Sequence, residues 1–465
     1  MIELILSKVV MRHSRLPFIL TTLSIALGAA LMAQPAHAYD LWQAYQDAQQ
    51  NDPTYLASAA QTDVLNAQKS QVRAAVMPTV TVSGGVYSTR KQFWGNTNAV
   101  DSHKRPASLT VGLNQPIFAL DKLTALKQVD VQSSIIELKV AQAKQELITR
   151  VVQAYFSTWL AEHNARVADS MAKAAERQLQ MAKKNFEVGN TTVIDTEEAA
   201  TVWHNAQASL INAHTAWDNA KNTLESVVGH PITEPLSGIR APLKLKMPVP
   251  GTADSWVEKA KQGNYNVQIA QLNYRFNTLD TQRIGQKRLP QVNVVAKRTW
   301  SNTDFRRDSD EQAATTTVGL EVSMPIFDGG LIGGQVREAQ AQENISFQTL
   351  RATQQSVAQS TRASYNQAVS GLATINALES ARGAAQKSAD ANMLGYQLGM
   401  RINIDVLNAQ NTYAQSQYNL AQAQYNTILG NVNLKAAIGQ LGDEDVQYIN
   451  ALLGNNAALP SRKAN

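Results

Sequence analysis

From Ala119 to His230 the chain contains no proline and only two glycines, Gly189 and Gly229, in a stretch dominated by Ala, Gln, Glu, Lys and Leu. Proline disrupts a helix interior and straight-chain residues favour one, so the stretch predicts two helices broken at Gly189, roughly Leu123 to Val188 and Asp195 to Val228. Thr192 or Asp195 can cap the second. At 1.5 Å per residue the first helix reaches on the order of 100 Å. No ordinary globular core is that long, so the helix must lie against other long helices. It carries two adjacent apolar stripes, Leu147, Val151 and Tyr155 beside Ile148, Val152 and Phe156. Two stripes require neighbours on both sides, whereas a solvent-exposed two-stranded coiled coil needs one seam.

The same pattern occurs twice. At a shift of 399 − 189 = 210 residues, Phe186-Glu187-Val188-Gly189 with Ile194-Asp195 answers Tyr396-Gln397-Leu398-Gly399 with Ile404-Asp405. Ala199, Gln207, Leu210, Ala213, Leu224 and Gly229 meet Ala409, Gln417, Leu420, Ala423, Leu434 and Gly439. Upstream, Val111-Gly112-Leu113 leading to Pro116-Ile117-Phe118 resembles Val318-Gly319-Leu320 leading to Pro325-Ile326-Phe327. These matches predict a tandem duplication. The first repeat spans 39–229 and the second 253–442. Between them, 230–252 is a connector crowded with Pro231, Pro235, Pro242, Pro248 and Pro250, which no continuous helix tolerates. The C-terminal segment 443–465 ends in a polar stretch from Asn455 that reads as partly disordered.

Ahead of the repeats, Lys8, Arg12 and Arg15, an apolar stretch from Leu16 to Met32 and Ala36-His37-Ala38 have the three parts of a secretory signal peptide over 1–38. The formal charge of +5 includes +2 from this leader, and the remaining +3 is too small to imply nucleic acid. The chain contains no cysteine, which excludes disulfides and thiolate metal sites.

Leu109, Val111 and Leu113 alternate with polar or small residues, as do Val318, Leu320, Val322 and Met324. Period two predicts half-buried strands. With segments following Pro78 and Pro290, each half offers two strands joined by polar loops holding Phe93-Trp94 and Trp300 with Phe305. About ten residues is the length of a tilted membrane-spanning strand. Four such strands cannot close a barrel, for which about eight are the minimum, and an open edge in lipid leaves backbone groups unpaired. Two, three or four chains would have to share one barrel. The alternative is a periplasmic coiled-coil scaffold or adaptor with a small sheet and no pore.

Nothing in the sequence argues for catalysis or a cofactor. His103, His163, His204, His214 and His230 show no metal-ligand spacing, and no phosphate loop, nucleophile elbow or dinucleotide fingerprint occurs in a suitable setting. Trp203, His204, His214 and Trp217 share one predicted helix and read as packing or surface residues.

Both copies of the helix-Gly-helix unit, the Leu41 to Pro53 opening with Asn51-Asp52-Pro53, the Val318 to Gly330 stretch and the Pro-rich connector together resemble the outer-membrane efflux protein family. The resemblance implies a mainly α homotrimer with a small β part. Each subunit would give four strands to a 12-stranded transmembrane β-barrel in the outer-membrane lipid, continued by an α-barrel tunnel of coiled-coil helices across the periplasm. It implies an exit duct, not an enzyme, served by an inner-membrane ABC or proton-driven transporter and a periplasmic adaptor (membrane fusion protein). It further implies a closed tunnel tip held by Gln178, Ile194 and Asp195 of the first copy and Met393, Tyr396 and Arg401 of the second. Asp405 and Asn408 would lie at the pore constriction, and Gly189 and Gly399 at the adaptor-facing turns. Asp195–Arg401 and Tyr396–Asp195 bonds would close the latch. Three positions depart from the family pattern: Ile194 replaces a hydroxyl, Met393 a carboxylate and Asn408 a second constriction aspartate. For Asp195, capping of its own helix competes with any pore role.

Overall fold

The computed structural model describes residues 38–91, 102–189, 191–240, 243, 245, 251–302 and 312–454. The expected leader ahead of Ala38, the aromatic residues Phe93, Trp94 and Phe305, the prolines Pro242, Pro248 and Pro250, and the tail from Asn455 lie outside these residues.

The chain runs through helices α1 (Leu41–Asn51) and α2 (Pro53–Ala74), strand β1 (Thr79–Val86), the short strands β2 (Thr89–Lys91) and β3 (Ser102–Lys104), and strand β4 (Ala107–Phe118). Helices α3 (Leu120–Glu187) and α4 (Val193–Val228) follow, then β5 (Gly238–Ile239). The second half repeats the order with α5 (Ala253–Gly263), α6 (Tyr265–Gln286), β6 (Gln291–Asn302), β7 (Gln312–Ser323), α7 (Leu331–Gln397) and α8 (Asn403–Ala437). A short α9 (Asp443–Asn450) and β8 (Leu453–Gly454) complete it. Corresponding helices match closely in length: 11 and 11, 22 and 22, 68 and 67, 36 and 35 residues. The first glycine-broken hairpin falls within three residues of each predicted boundary, and the second breaks at Gly399 as its repeat predicts.

All six stripe residues of α3 are fully buried, together with Leu41, Ala44, Tyr45 and Ala48 of α1 and Ile428 and Val432 of α8. This core sits midway along α3. Around it the residues ahead of α1, the connector and the segment after α8 are tied to one another. Tyr39 forms a parallel bridge with Leu236, β5 pairs with β8, and the Tyr155 hydroxyl lies 2.9 Å from the carbonyl oxygens of both Tyr39 and Ser237. Asp443 at the start of α9 accepts from Tyr45 at 2.7 Å and from Lys144 at 3.0 Å. Connector and C-terminal segment therefore contain more regular structure than their composition predicts. The backbones of α5 and α8 meet at their C-terminal ends, where a Cβ on Gly439 would fall 2.1 Å from the Gly263 carbonyl oxygen.

The four long strands form one antiparallel sheet in the order β1-β4-β6-β7, and β2 pairs with β3 apart from it. Its register sorts side chains by face. Val80, Leu113, Ala296 and Val318 form one row, and Gly84, Leu109, Trp300 and Ala314 another, on the apolar face. Thr81, Gly112, Lys297 and Thr317, then Ser83, Thr110, Thr299 and Thr315, form rows on the opposite, polar face, where the Thr110 and Thr299 hydroxyls lie 3.0 Å apart. The apolar face is uncovered: Val82, Val318, Leu320 and Val322 are each at least 66% exposed. Trp300 stands inside β6, two residues before its end, rather than in the loop the sequence suggests. The strand outlasts its alternating apolar pattern because each residue pairs on both sides, with β4 and with β7. All long helices leave the sheet from one end. Among the described residues no helix is long and apolar enough to cross a membrane.

Candidate functional site

The far ends of the two long hairpins hold every residue singled out for the tunnel tip. Both turns use a glycine at positive φ, +78° at Gly189 and +73° at Gly399, a conformation that a Cβ disfavours. At the second turn the Gly399 amide donates to the Tyr396 carbonyl (3.0 Å) and the Met400 amide to the Gly395 carbonyl (2.8 Å). This is the Schellman arrangement, which satisfies carbonyls left free at a helix end.

The two halves then diverge. Thr192 caps α4, its hydroxyl accepting from the Asp195 amide at 3.3 Å while Asp195 Oδ2 accepts from the Thr192 amide at 3.0 Å. The Thr191 and Thr192 hydroxyls also donate to Asp195 Oδ2. These donors, Thr191 first, hold the Asp195 carboxyl below its usual range. In the second half the capping position is Ile402, which offers no acceptor, and α8 starts without a side-chain cap. Asp405 instead faces Arg401 at 3.7 Å. The Arg401 stem lies over Gly395, where a Cβ would come within 2.8 Å of its Cγ.

Each partner expected across the tip is thus engaged elsewhere within the chain. Asp195 is taken by its own turn and Arg401 by Asp405, and the Tyr396 hydroxyl accepts from Asn185 Nδ2 at 3.2 Å. Neither an Asp195–Arg401 nor a Tyr396–Asp195 bond forms within the chain, because local donors four residues or fewer away reach Asp195 first. At the tip, the bond among the described residues that crosses from the first hairpin to the second is Asn185–Tyr396. Gln178 is fully buried, and its Nε2 has no hydrogen-bond partner among the described residues. Met393 is half-buried, Asn408 is exposed and Ile194 is 65% exposed.

Two contacting residues escaped sequence reasoning. Thr191 was legible, since a shift of 401 − 191 = 210 aligns it with Arg401 and both contact the aspartate four residues on. Asn185 was not, because it aligns with Gly395 and its partner lies 211 residues away. No group of three or more His, Asp or Glu residues that could hold a metal ion occurs among the described residues. The chemistry on offer is a half-buried carboxylate, an exposed guanidinium and a few breakable hydrogen bonds at the ends of long levers, which suits gating of passage.

Residues 44–230 and 256–440 match the outer membrane efflux protein family. Outer membrane protein TolC of Escherichia coli (strain K12) is 27% identical over 443 residues, covering 93% of this chain and 89% of TolC. Alkaline protease secretion protein AprF of Pseudomonas aeruginosa is 25% identical, covering 90% and 89%. In fold, the chain resembles the CmeC outer membrane channel of Campylobacter jejuni, with a TM-score of 0.78 at 12% identity and 89% of each chain covered. It also resembles the outer membrane protein VceC of Vibrio cholerae, with a TM-score of 0.74 at 17% identity, covering 86% and 96%.

Proposed function

Because this chain belongs to the outer membrane efflux protein family, we propose that three copies pool their sheets into one 12-stranded barrel, continued by a tunnel of their long helices. The protein resides in the outer membrane, extends into the periplasm and is an exit duct for efflux and type I secretion. The matching lengths and order of elements in the two halves support descent by tandem duplication.

One observation carries the barrel. The sheet is apolar on one face and polar on the other, yet among the described residues nothing pairs with the outer edges of β1 and β7. In lipid those edges leave backbone donors and acceptors unsatisfied unless β7 of one copy meets β1 of the next. The helices support the same assembly. Only Ala199, Leu224 and Val228 of the 36-residue α4 are buried within the chain, so its remaining surface is available to neighbouring copies.

At the tip, three copies bring Asp405 together as a carboxylate ring with Asn408 beside it, which favours cations. Gln178, Ile194, Asp195, Met393, Tyr396 and Arg401 form the latch region, in which Asn185–Tyr396 is the intrachain fastening and Arg401 is exposed enough to reach a neighbouring copy. Opening breaks these contacts so that the second hairpin swings outward. The turns at Gly189 and Gly399 face a periplasmic adaptor, which joins the duct to an inner-membrane ABC or proton-driven transporter that supplies the energy. The task requires passage alone, so the chain is a duct and not an enzyme.

The native chain has no cysteine, which makes the assembly directly testable. Cysteine pairs, one on the polar face of β1 and one on that of β7, beginning with Thr81→Cys with Thr317→Cys, should crosslink into species ending at a trimer. The protein should leave the outer membrane only with detergent and conduct ions in planar bilayers. A monomer that is water-soluble without detergent would return the chain to the scaffold reading.

A further inference from the structure

The apolar face of the sheet contains one cation. Arg298 shares a row with Val82, Val111 and Thr316, flanked by the Leu113–Ala296–Val318 row on one side and the Leu109–Trp300–Ala314 row on the other. It is exposed, and its Cζ lies 5.2 Å from the centre of the Trp300 ring, two residues nearer the loop end of the strand. If the sheet is part of a barrel, as proposed above, this face meets lipid.

Depth follows from the register. Phe118 pairs with Val292, and Trp300 lies 300 − 292 = 8 residues further along β6. At about 3.4 Å per residue and a tilt of about 40°, the two aromatic levels are separated by about 21 Å, close to the roughly 25 Å apolar band bounded by aromatic girdles in such barrels. The helices leave from the Phe118 end, so Trp300 marks the outer interface and Arg298 originates about 5 Å inside it. A guanidinium is tolerated there only if its long arm carries the charge outward. The stacking on Trp300 directs it that way, and the ring occupies its face while leaving its edge N–H donors open. Among the described residues no side chain or carbonyl accepts a hydrogen bond from Arg298.

Among the described residues the surrounding charge has one sign. At this end of the sheet the described residues include Arg90, His103, Lys104, Arg105 and Lys297, whereas Glu321, the single acid in the strands, lies at the opposite end on the polar face. The occupant that fits is an anion at the depth of a headgroup, presented from the lipid side, and a forked guanidinium matches phosphate oxygens. We propose that Arg298, positioned by Trp300, binds the phosphate of an anionic lipid headgroup in the outer leaflet, at one site per subunit.

Lys297 provides the control, because it sits at the same depth with the same charge on the opposite face. The full-length assembly in neutral detergent would be titrated with a bis-phosphorylated glycolipid (lipid A), with its dephosphorylated form and with inorganic phosphate, and bound lipid counted by native mass spectrometry. Up to three phosphorylated lipids per trimer should be retained. Arg298→Gln should weaken retention about tenfold, and Lys297→Gln should leave it unchanged. Equal retention by Arg298→Gln, an equal loss in Lys297→Gln, equal retention of the dephosphorylated lipid, or a site satisfied by inorganic phosphate alone would each overturn the proposal. Such results from a trimer that still conducts in bilayers would leave the barrel reading intact. Failure to form that trimer would end both.

Discussion

Asn185 and Tyr396 join the ends of the two long hairpins, the amide of one donating to the hydroxyl of the other at 3.2 Å. Removing that acceptor with Tyr396→Phe keeps the ring and deletes the bond, which is worth about 0.5–1.5 kcal/mol. The closed aperture should open more often, read as larger or more frequent single-channel openings and as antibiotic leakage into cells. Conductance and leakage equal to those of the unaltered protein would remove this pair from the gate.

Arg401 partly neutralises Asp405 and shields Gly395. Arg401→Ala should raise conductance and strengthen preference for cations, and Asp405→Asn should weaken that preference, both measured as reversal potentials across a salt gradient. Asp195→Asn should leave selectivity nearly unchanged, because that carboxylate is occupied by Thr191 and Thr192. Its cost falls on the capping box at the start of α4, at about 1 kcal/mol.

His163 predicts an acid-sensitive stability. Burial first, and then Arg166 and Arg382, push its pKa down to about 4 from an ordinary 6.5. The unfolded chain therefore takes up a proton below pH 6.5 that the folded chain refuses until about pH 4. The contribution is fully present above 6.5 and is lost as pH falls through that window, on the order of 3 kcal/mol in all. Neighbouring Glu162, whose pKa burial raises against the pull of Arg166, works in the opposite sense. Comparison with His163→Gln isolates the histidine: between pH 6.5 and 4 the variant's melting temperature should decline less steeply.

Tyr155 fastens Tyr39, just ahead of α1, to the connector from within the core. Tyr155→Phe preserves the packing while depriving the Tyr39 and Ser237 carbonyls of their shared donor, so it should cost about 1–3 kcal/mol in thermal or denaturant unfolding. Because the hydroxyl is remote from the tip, conductance should not change.

Helix and strand identity was legible in the chain because each is decided over a few residues. The freedom from proline, the repeated glycines and the two apolar stripes define α3, α4, α7 and α8, and alternation along Leu109–Leu113 and Val318–Val322 defines the sheet's apolar face. The same local logic exposed Thr192 as a cap. Which side chains meet at the tip was a different matter. After helices of some 100 Å, the relative rotation of two hairpins depends on packing summed along their whole length, and no short pattern encodes it. Only tertiary structure could direct Tyr396 to Asn185, carry Trp300 into β6 between β4 and β7, and bind β8 to β5 across the connector. Sequence alone determined what each segment is, since hydrogen bonding and periodicity act within a turn or a strand. The three-dimensional structure decided which distant segments touch, since that depends on how long rigid elements lie against one another.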